Sequence, residues 1–414
     1  MKPVLIVGGG PVGLTAALCL ATAQVPVILF EADEHISADL RASTFHPPTL
    51  DMLDEFGLGT ELVQRGRITP RWQVRWHESG ERAEFDLGLL KSETRHPYRL
   101  QCEQQTLQHL LVARLAERDH VELRLGCRVD AVGQDDAGVW VEAGGERVTG
   151  SWLIGADGAR SIVRRSCEIG FSGETYPETT ILVATDFDFG TALEGLSGVN
   201  YVWSRTGTFS LLHLPGLWRC SFYPAPGQDP EEALEEEPIE QQLQRVVARP
   251  ERYRVLHKRC YRIHQRVADT YRRGRMLLAG DAAHLNSPSG GMGMNGGIHD
   301  AFNLTGKLIE VLGGADDALM ELYVRQRRPI AIEHIIAQAD RNRRRMRETD
   351  TERRRAMLQD LQRTASDPQL AHAYLLNSAM ITGLRQAAAV TDSSPRSNGT
   401  NIPEAATADA LVPR

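Results

Sequence analysis

The sequence predicts an α/β protein in which a nucleotide-binding parallel sheet is interleaved with a second, β-rich unit and followed by C-terminal helices. Three observations predict it. The chain opens with an apolar run, a glycine turn, an apolar helical stretch and another apolar run. Short β-type runs fill the middle of the chain, and two of them, far apart, lead into Asp-Gly or Gly-Asp. Beyond residue 316 the pattern turns helical and rich in arginine.

The opening element is the most regular. Val4 to Val7 is continuously apolar, as a strand buried on both faces must be. Gly8, Gly10 and Gly13 then form G-x-G-x-x-G, and Val12 to Ala23 is mostly apolar, as in a covered helix. A second run, Val25 to Phe30, ends in Glu31. This Rossmann-type order lets backbone approach a pyrophosphate and brings a carboxylate to a ribose hydroxyl. Pro11 and the glycines interrupt any leader-like apolar core, and no small-residue cleavage site follows, so a signal peptide is not expected.

The second element is the D-G motif. Trp152 to Ala156 leads into Asp157-Gly158-Ala159-Arg160-Ser161. In the third, Met276 to Ala279 ends in Gly280-Asp281, where a strand-end carboxylate can hold a ribityl or ribose hydroxyl. The loop that follows carries Gly290, Gly291, Gly293, Gly296 and Gly297, so its N–H groups can come close to a flat ligand. A helix opening near Met294 and Asn295 points its positive end at the same place.

With these three markers in this order, and with G-M-N-x-G-x-x-D-A-x-N-L intact from Gly293 to Leu304, the chain resembles the single-component (group A) flavoprotein aromatic hydroxylases of the para-hydroxybenzoate hydroxylase fold. The resemblance implies non-covalent FAD, with Gly8, Gly10 and Gly13 at its pyrophosphate and Glu31 at the adenosine ribose. It implies Arg41 near the cofactor and Gln104, which opens Gln-x-x-Leu-x-x-x-Leu, beside the flavin. Gln108 stands where the family usually has Glu. Asp157 would serve both FAD and NAD(P)H, and Gly280 and Asp281 the ribityl chain. Pro288 would present its carbonyl to the reacting edge, and Gly291, Gly293, Met294 and Asn295 would face the pyrimidine end.

The chemistry so implied is hydroxylation of a small electron-rich aromatic, such as a phenol, by a flavin C4a-hydroperoxide formed from O₂. NADH or NADPH docks transiently as the reductant, and the protein supplies orientation, dryness and charge. The base that activates the phenol is not singled out. Candidates on the β-type runs are His213, Tyr201 and Tyr223, although a lone residue of either type on a strand is more often core or rim. Trp203 and Phe222 would wall an aromatic ring or fill the core. Arg219 would pair with a substrate carboxylate. His284, three residues past Asp281, reads as a packed histidine.

The organisation follows. Residues 1–70, 101–177 and 269–315 read as the FAD-binding domain, and 71–100 with 178–268 as a substrate-binding β-sheet domain interrupted by an acidic helical insert at 230–248. Residues 316–390 read as a helical region whose arginines form a solvated face. Residues 391–414 read as a disordered tail ending in a tag remnant, Leu411 to Arg414.

A net charge of −7 argues against a nucleic-acid partner, and no run of 18 apolar residues exists to span a membrane. Six scattered cysteines, with no C-x-x-C and no metal-like histidine spacing, suit free thiols in the cytoplasm and no metal site. A homodimer stays open. So do a dehydrogenase or oxidase on the same fold, and a non-catalytic flavin-binding protein. A halogenase is disfavoured, because neither K-x-G-x-x-x-G nor W-x-W-x-I-P is present.

Overall fold

The computed structural model describes residues 1–36, 42–224 and 228–391. Arg41 and residues 392–414 of the expected tail lie outside the described residues.

Two sheets organise the molecule. The first has six strands in the order Arg272–Arg273, Met276–Leu278, Trp152–Gly155, Val4–Val7, Val27–Phe30, Val121–Arg124. All pairings are parallel except that of the Arg272–Arg273 edge. Val4–Val7 is buried throughout because both its faces are covered. A small antiparallel sheet of 129–150 lies against one side, where a Cβ on Gly150 would stand 2.6 Å from Leu5. The helix Pro11–Thr22, itself packed on the helices Met292–Leu312 and Gln104–Ala116, serves the other.

The second sheet has eight strands: His284–Leu285, Val255–Ala268, Phe171–Thr185, Leu217–Phe222, Gly207–Leu214, Val199–Ser204, Arg71–Trp76, Arg82–Asp86. The two-residue side-chain period sorts it into two faces. Ile181, Val183, Phe209, Leu211, Trp218, Cys220 and Phe222 pack on Ile239, Leu243 and Val246 of the helix Glu236–Val246. The opposite face carries Leu182, Ser210, Leu212, Arg219 and Ser221, which line a cavity.

The end of that cavity face is closed by C-terminal helices. Trp72, Val74, Phe85 and Trp203 share a core with Leu358 and Leu361 of Thr351–Ser366 and Leu375 of Pro368–Ser378. The arginines of this region are not all on a solvated face. Arg343 stacks 3.7 Å over Tyr176 and pairs with Asp340 and Glu178. Arg354 is buried and donates to the carbonyls of Ser204 and Glu348.

Candidate active site

A single cavity of about 820 Å³ runs from the glycine turn of the parallel sheet to the inner face of the eight-stranded sheet. Its nucleotide half is built from strand ends. Gly8, at the end of Val4–Val7, has φ +109° and lies so near Ala156 that a Cβ would stand 2.3 Å from its carbonyl oxygen. Gly13 is as constrained, with a Cβ falling 2.0 Å from the Gly8 carbonyl oxygen. A Cβ on Gly10 would meet nothing within 4 Å. The first and third glycines therefore serve packing, while the second faces space that a ligand can take.

Side chains fix this turn. Glu31 accepts the Gly9 N–H at 2.5 Å through one oxygen and the Asp33 N–H at 2.9 Å through the other. Gln104 is the first residue of Gln104–Ala116, and its amide donates to Gln108 at 3.3 Å. Gln108 in turn donates to the Gly9 carbonyl at 3.2 Å. A glutamate at 108 has no donor for that bond, so the departure at this position has a local reason.

Asp157 follows Trp152–Gly155 and accepts the Ile162 and Val163 N–H groups at 2.7 and 3.2 Å. Its other oxygen is buried without a partner, and burial pushes its pKa up against hydrogen bonds from Ser161 and the backbone. Gly280 takes φ +62° and turns Asp281 toward the cavity, which Asp281 lines. Pro288 also lines it, and the Pro288 carbonyl accepts the Gly291 N–H at 3.0 Å.

The helix expected near Met294 begins earlier, at Met292, with Gly291 as its cap at φ +68°. Gly291, Gly293 and Met294 line the cavity. Asn295 does not. It is fully buried, accepts the His46 N–H at 2.9 Å and donates to the carbonyls of Thr44 and Gly291 at 2.8 and 2.7 Å. It ties the glycine loop to the segment 44–46 instead of facing a ligand. His46 supports the same loop through the Gly290 carbonyl at 2.8 Å, and burial, then the charge of Arg99, lowers its pKa to about 3. His284 is packed, 2.7 Å from Asp300, whose other oxygen accepts Arg327 at 2.7 Å.

The other half of the cavity is lined by Thr180, Leu182, Tyr201, Ser210, Leu212, Arg219, Ser221, Tyr223, Arg259, Tyr261 and Met346. Tyr201 and Tyr223, two of the sequence candidates, line it. Burial raises the Tyr223 pKa, with Arg347 and a Ser289 hydrogen bond opposing. It also raises that of Tyr261, which no sequence pattern singled out. Both phenols are thus proton donors at neutral pH.

Three sequence candidates fall elsewhere. His213 is on the opposite face of its strand, stacked 4.2 Å from Trp218, because residue 212 rather than 213 points into the cavity. Phe222 is likewise one residue out of phase with Ser221 and Tyr223 and belongs to the core under Glu236–Val246. Trp203 shares the face of Tyr201, but the C-terminal helices bury it completely, and its indole N–H donates to the Arg345 carbonyl at 3.1 Å. Arg219 does line the cavity, yet its guanidinium already holds both oxygens of Glu103 at 2.8 and 2.7 Å and Ser43 at 2.9 Å.

Residues 1–339 match the family described as "FAD binding domain". The chain belongs to that family. This flavoprotein is 37% identical over 366 residues to a para-nitrophenol 4-monooxygenase from Pseudomonas sp. (strain WBC-3), covering 85% of this chain and 89% of the relative. It is 35% identical to a 6-hydroxy-3-succinoylpyridine 3-monooxygenase from Pseudomonas putida, covering 82% and 87%. Its fold is similar to the crystal structure of a p-nitrophenol 4-monooxygenase from Pseudomonas putida, with a TM-score of 0.87 at 33% identity over 93% of this chain and 98% of the other. The flavoprotein is therefore a FAD-dependent aromatic monooxygenase that uses O₂ and a reduced nicotinamide.

The residues present fit FAD. Open space faces Gly10, the N-termini of Pro11–Thr22 and Met292–Leu312 converge on one cavity, and Asp157 keeps a buried oxygen unpartnered there. Among the described residues no helix is long and apolar enough to cross a membrane.

Proposed function

We propose that this monooxygenase hydroxylates a single-ring phenol or hydroxypyridine, seated between the glycine loop 288–293 and Tyr201, Tyr223 and Tyr261. One observation carries the reading: the glycine loop and the three phenols line the same cavity. The two relatives named for para-nitrophenol and a hydroxypyridine support it.

The residue roles in this reading rest on the family resemblance and on which side chains line the cavity. Gly10, with the N–H groups opening Pro11–Thr22, receives the FAD pyrophosphate. Glu31 positions the adenosine ribose while strapping the turn. Asp281 holds the ribityl chain. The N–H groups at Gly293 and Met294 favour negative charge at the pyrimidine end. Gln104 and Asp157 border the flavin, and Asp157 also meets the incoming nicotinamide. Bound FAD supplies the oxygen-transfer chemistry. Tyr223 and Tyr261 donate hydrogen bonds to the ring oxygen, and Tyr201 orients it. Leu182, Leu212, Met292 and Met346 keep water from the ring. Six cysteines, all unpaired, suit a cytoplasmic setting.

The test is oxidation of NADH and NADPH by the FAD-loaded protein across phenols and hydroxypyridines, with mass analysis of the products. Stimulated oxidation with one oxygen atom added to a single-ring substrate supports the reading. Turnover confined to polycyclic aromatics overturns it.

A further inference from the structure

A side pocket of about 20 Å³ adjoins the substrate chamber, and the two share Tyr201, Gly290, Met292 and Met346 as walls. That volume admits roughly one water-sized group. Its remaining lining is unusually rich in donors. Arg99 is 3% exposed, and its Nε is buried without a hydrogen-bond partner. Trp72, also 3% exposed, has its indole N–H buried without a partner. The Arg99 guanidinium lies 5.1 Å over the Trp72 ring. Arg345 donates to the Tyr374 hydroxyl at 3.2 Å.

No Asp or Glu lines this pocket, and neither Arg99 nor Arg345 forms an ion pair among the described residues. An arginine stays charged under all ordinary conditions. A buried cation without a counter-charge is costly, and a fold keeps one where a ligand supplies the negative charge. Arg219, the other buried arginine of the chamber, already has Glu103.

We infer that the pocket at Arg99 and Trp72 is a subsite for an oxygen-rich, negatively polarised ring substituent, a carboxylate or nitro group, on the aromatic substrate. The substituent's oxygen reaches past Tyr201 and Met292 to the two free donors while the ring stays in the main chamber. This deepens the proposed function and rests on its placement of the ring. A free small anion such as chloride has the same chemistry and is separated by the test.

The test uses the FAD-loaded protein without nicotinamide, so that no turnover occurs, and follows ligand binding by the change in the flavin spectrum. The probes are 4-nitrophenol, 4-hydroxybenzoate and 4-methylphenol. Arg99→Met keeps the volume and removes the charge. It is expected to weaken at least one of the two acceptor-bearing phenols by about tenfold or more, the loss of a charged hydrogen bond, with 4-methylphenol changed by less than about twofold. Trp72→Phe, which keeps the ring, is expected to give the same selectivity at about threefold and covers the case in which Arg99→Met does not fold.

Chloride that competes with these phenols in the parent protein, and not in Arg99→Met, assigns the subsite to anions in general. Chloride without effect assigns it to the substituent. Equal weakening of all three phenols overturns the inference. So does a change in FAD affinity or flavin potential with phenol selectivity intact. If single-ring phenols are hydroxylated but Arg99→Met is unselective, the subsite fails and the function stands. Selective binding without hydroxylation gives the reverse.

Discussion

Gln108 donates its amide to the carbonyl of Gly9, 99 residues away in sequence and 3.2 Å away in space. That bond fixes the middle of the glycine turn from the helix Gln104–Ala116, while Glu31 fixes the same residue through its N–H. Gln108→Glu replaces the donor by an acceptor facing a carbonyl. The expected result is FAD affinity lowered by about 1–2 kcal/mol, or roughly tenfold, measured by equilibrium titration of apoprotein. Unchanged affinity would remove Gln108 from the account.

The three glycines of the first turn should separate by phenotype. Gly10→Val adds atoms only to the cavity, so the apoprotein should keep its melting temperature and lose FAD. Gly13→Ala forces a Cβ against the Gly8 carbonyl oxygen at 2.0 Å, so it should lower the melting temperature of the apoprotein itself. Thermal melts of both apoproteins, with flavin content after dialysis, check the pair. A Gly10→Val protein that retains yellow flavin would contradict the placement of the pyrophosphate.

Asp300 lies between His284 and Arg327 with no exposure of any of the three carboxylate, imidazole and guanidinium groups beyond 1%. Burial alone would raise its carboxyl, but Arg327 and His284 outweigh burial and bring the pKa to about 2. A lowered carboxyl pKa gives stability that is complete above the unfolded value near 4 and is lost as pH falls toward 2. Asp300→Asn leaves Arg327 buried without its counter-charge and should cost about 3–5 kcal/mol in denaturant unfolding. A loss below 1 kcal/mol would show that the network is dispensable.

His46 and His299 make stability depend on pH nearer neutrality. Burial comes first for both, then the charges of Arg99 and Arg327 respectively, and each pKa falls to about 3. The unfolded chain binds protons at these two sites below about pH 6.5, where the folded protein does not. Stability should therefore fall from about pH 6.5 downward, and His299→Gln should make that slope shallower. Melting temperatures across that range check it; parallel slopes for both proteins would argue against a neutral His299.

Much of this was legible in the sequence where function demands a backbone shape. The glycines at 8, 10 and 13, the Asp157 turn and the Gly280 turn all carry their chemistry in residue type, and the family match spans them. What the sequence did not carry was the phase of the second sheet. His213 and Phe222 sit one residue away from cavity-facing Leu212 and Ser221, and a strand with apolar groups on both faces does not announce which face is wet. The strand Arg71–Trp76 shows a related effect. Gln73 is fully buried, bonded to Asn200 and the Gly195 carbonyl, so the polar face is covered too. Trp203 is covered from a helix more than 140 residues downstream, and Arg354 reaches back 150 residues to the Ser204 carbonyl, contacts that no local pattern encodes. Tyr261 was missed although it pairs with Thr180 across the strands, a register visible only once the sheet is built.

Oxygen transfer by this flavoprotein requires FAD and an aromatic ring to share one cavity. It is tested most directly by mixing the FAD-loaded protein with a reduced nicotinamide, ¹⁸O-labelled O₂ and a single-ring phenol, and by weighing the product. One labelled oxygen atom in the ring product, formed at the expense of the nicotinamide, is the expected result. Nicotinamide oxidation that yields only hydrogen peroxide with every phenol and hydroxypyridine tried would contradict it.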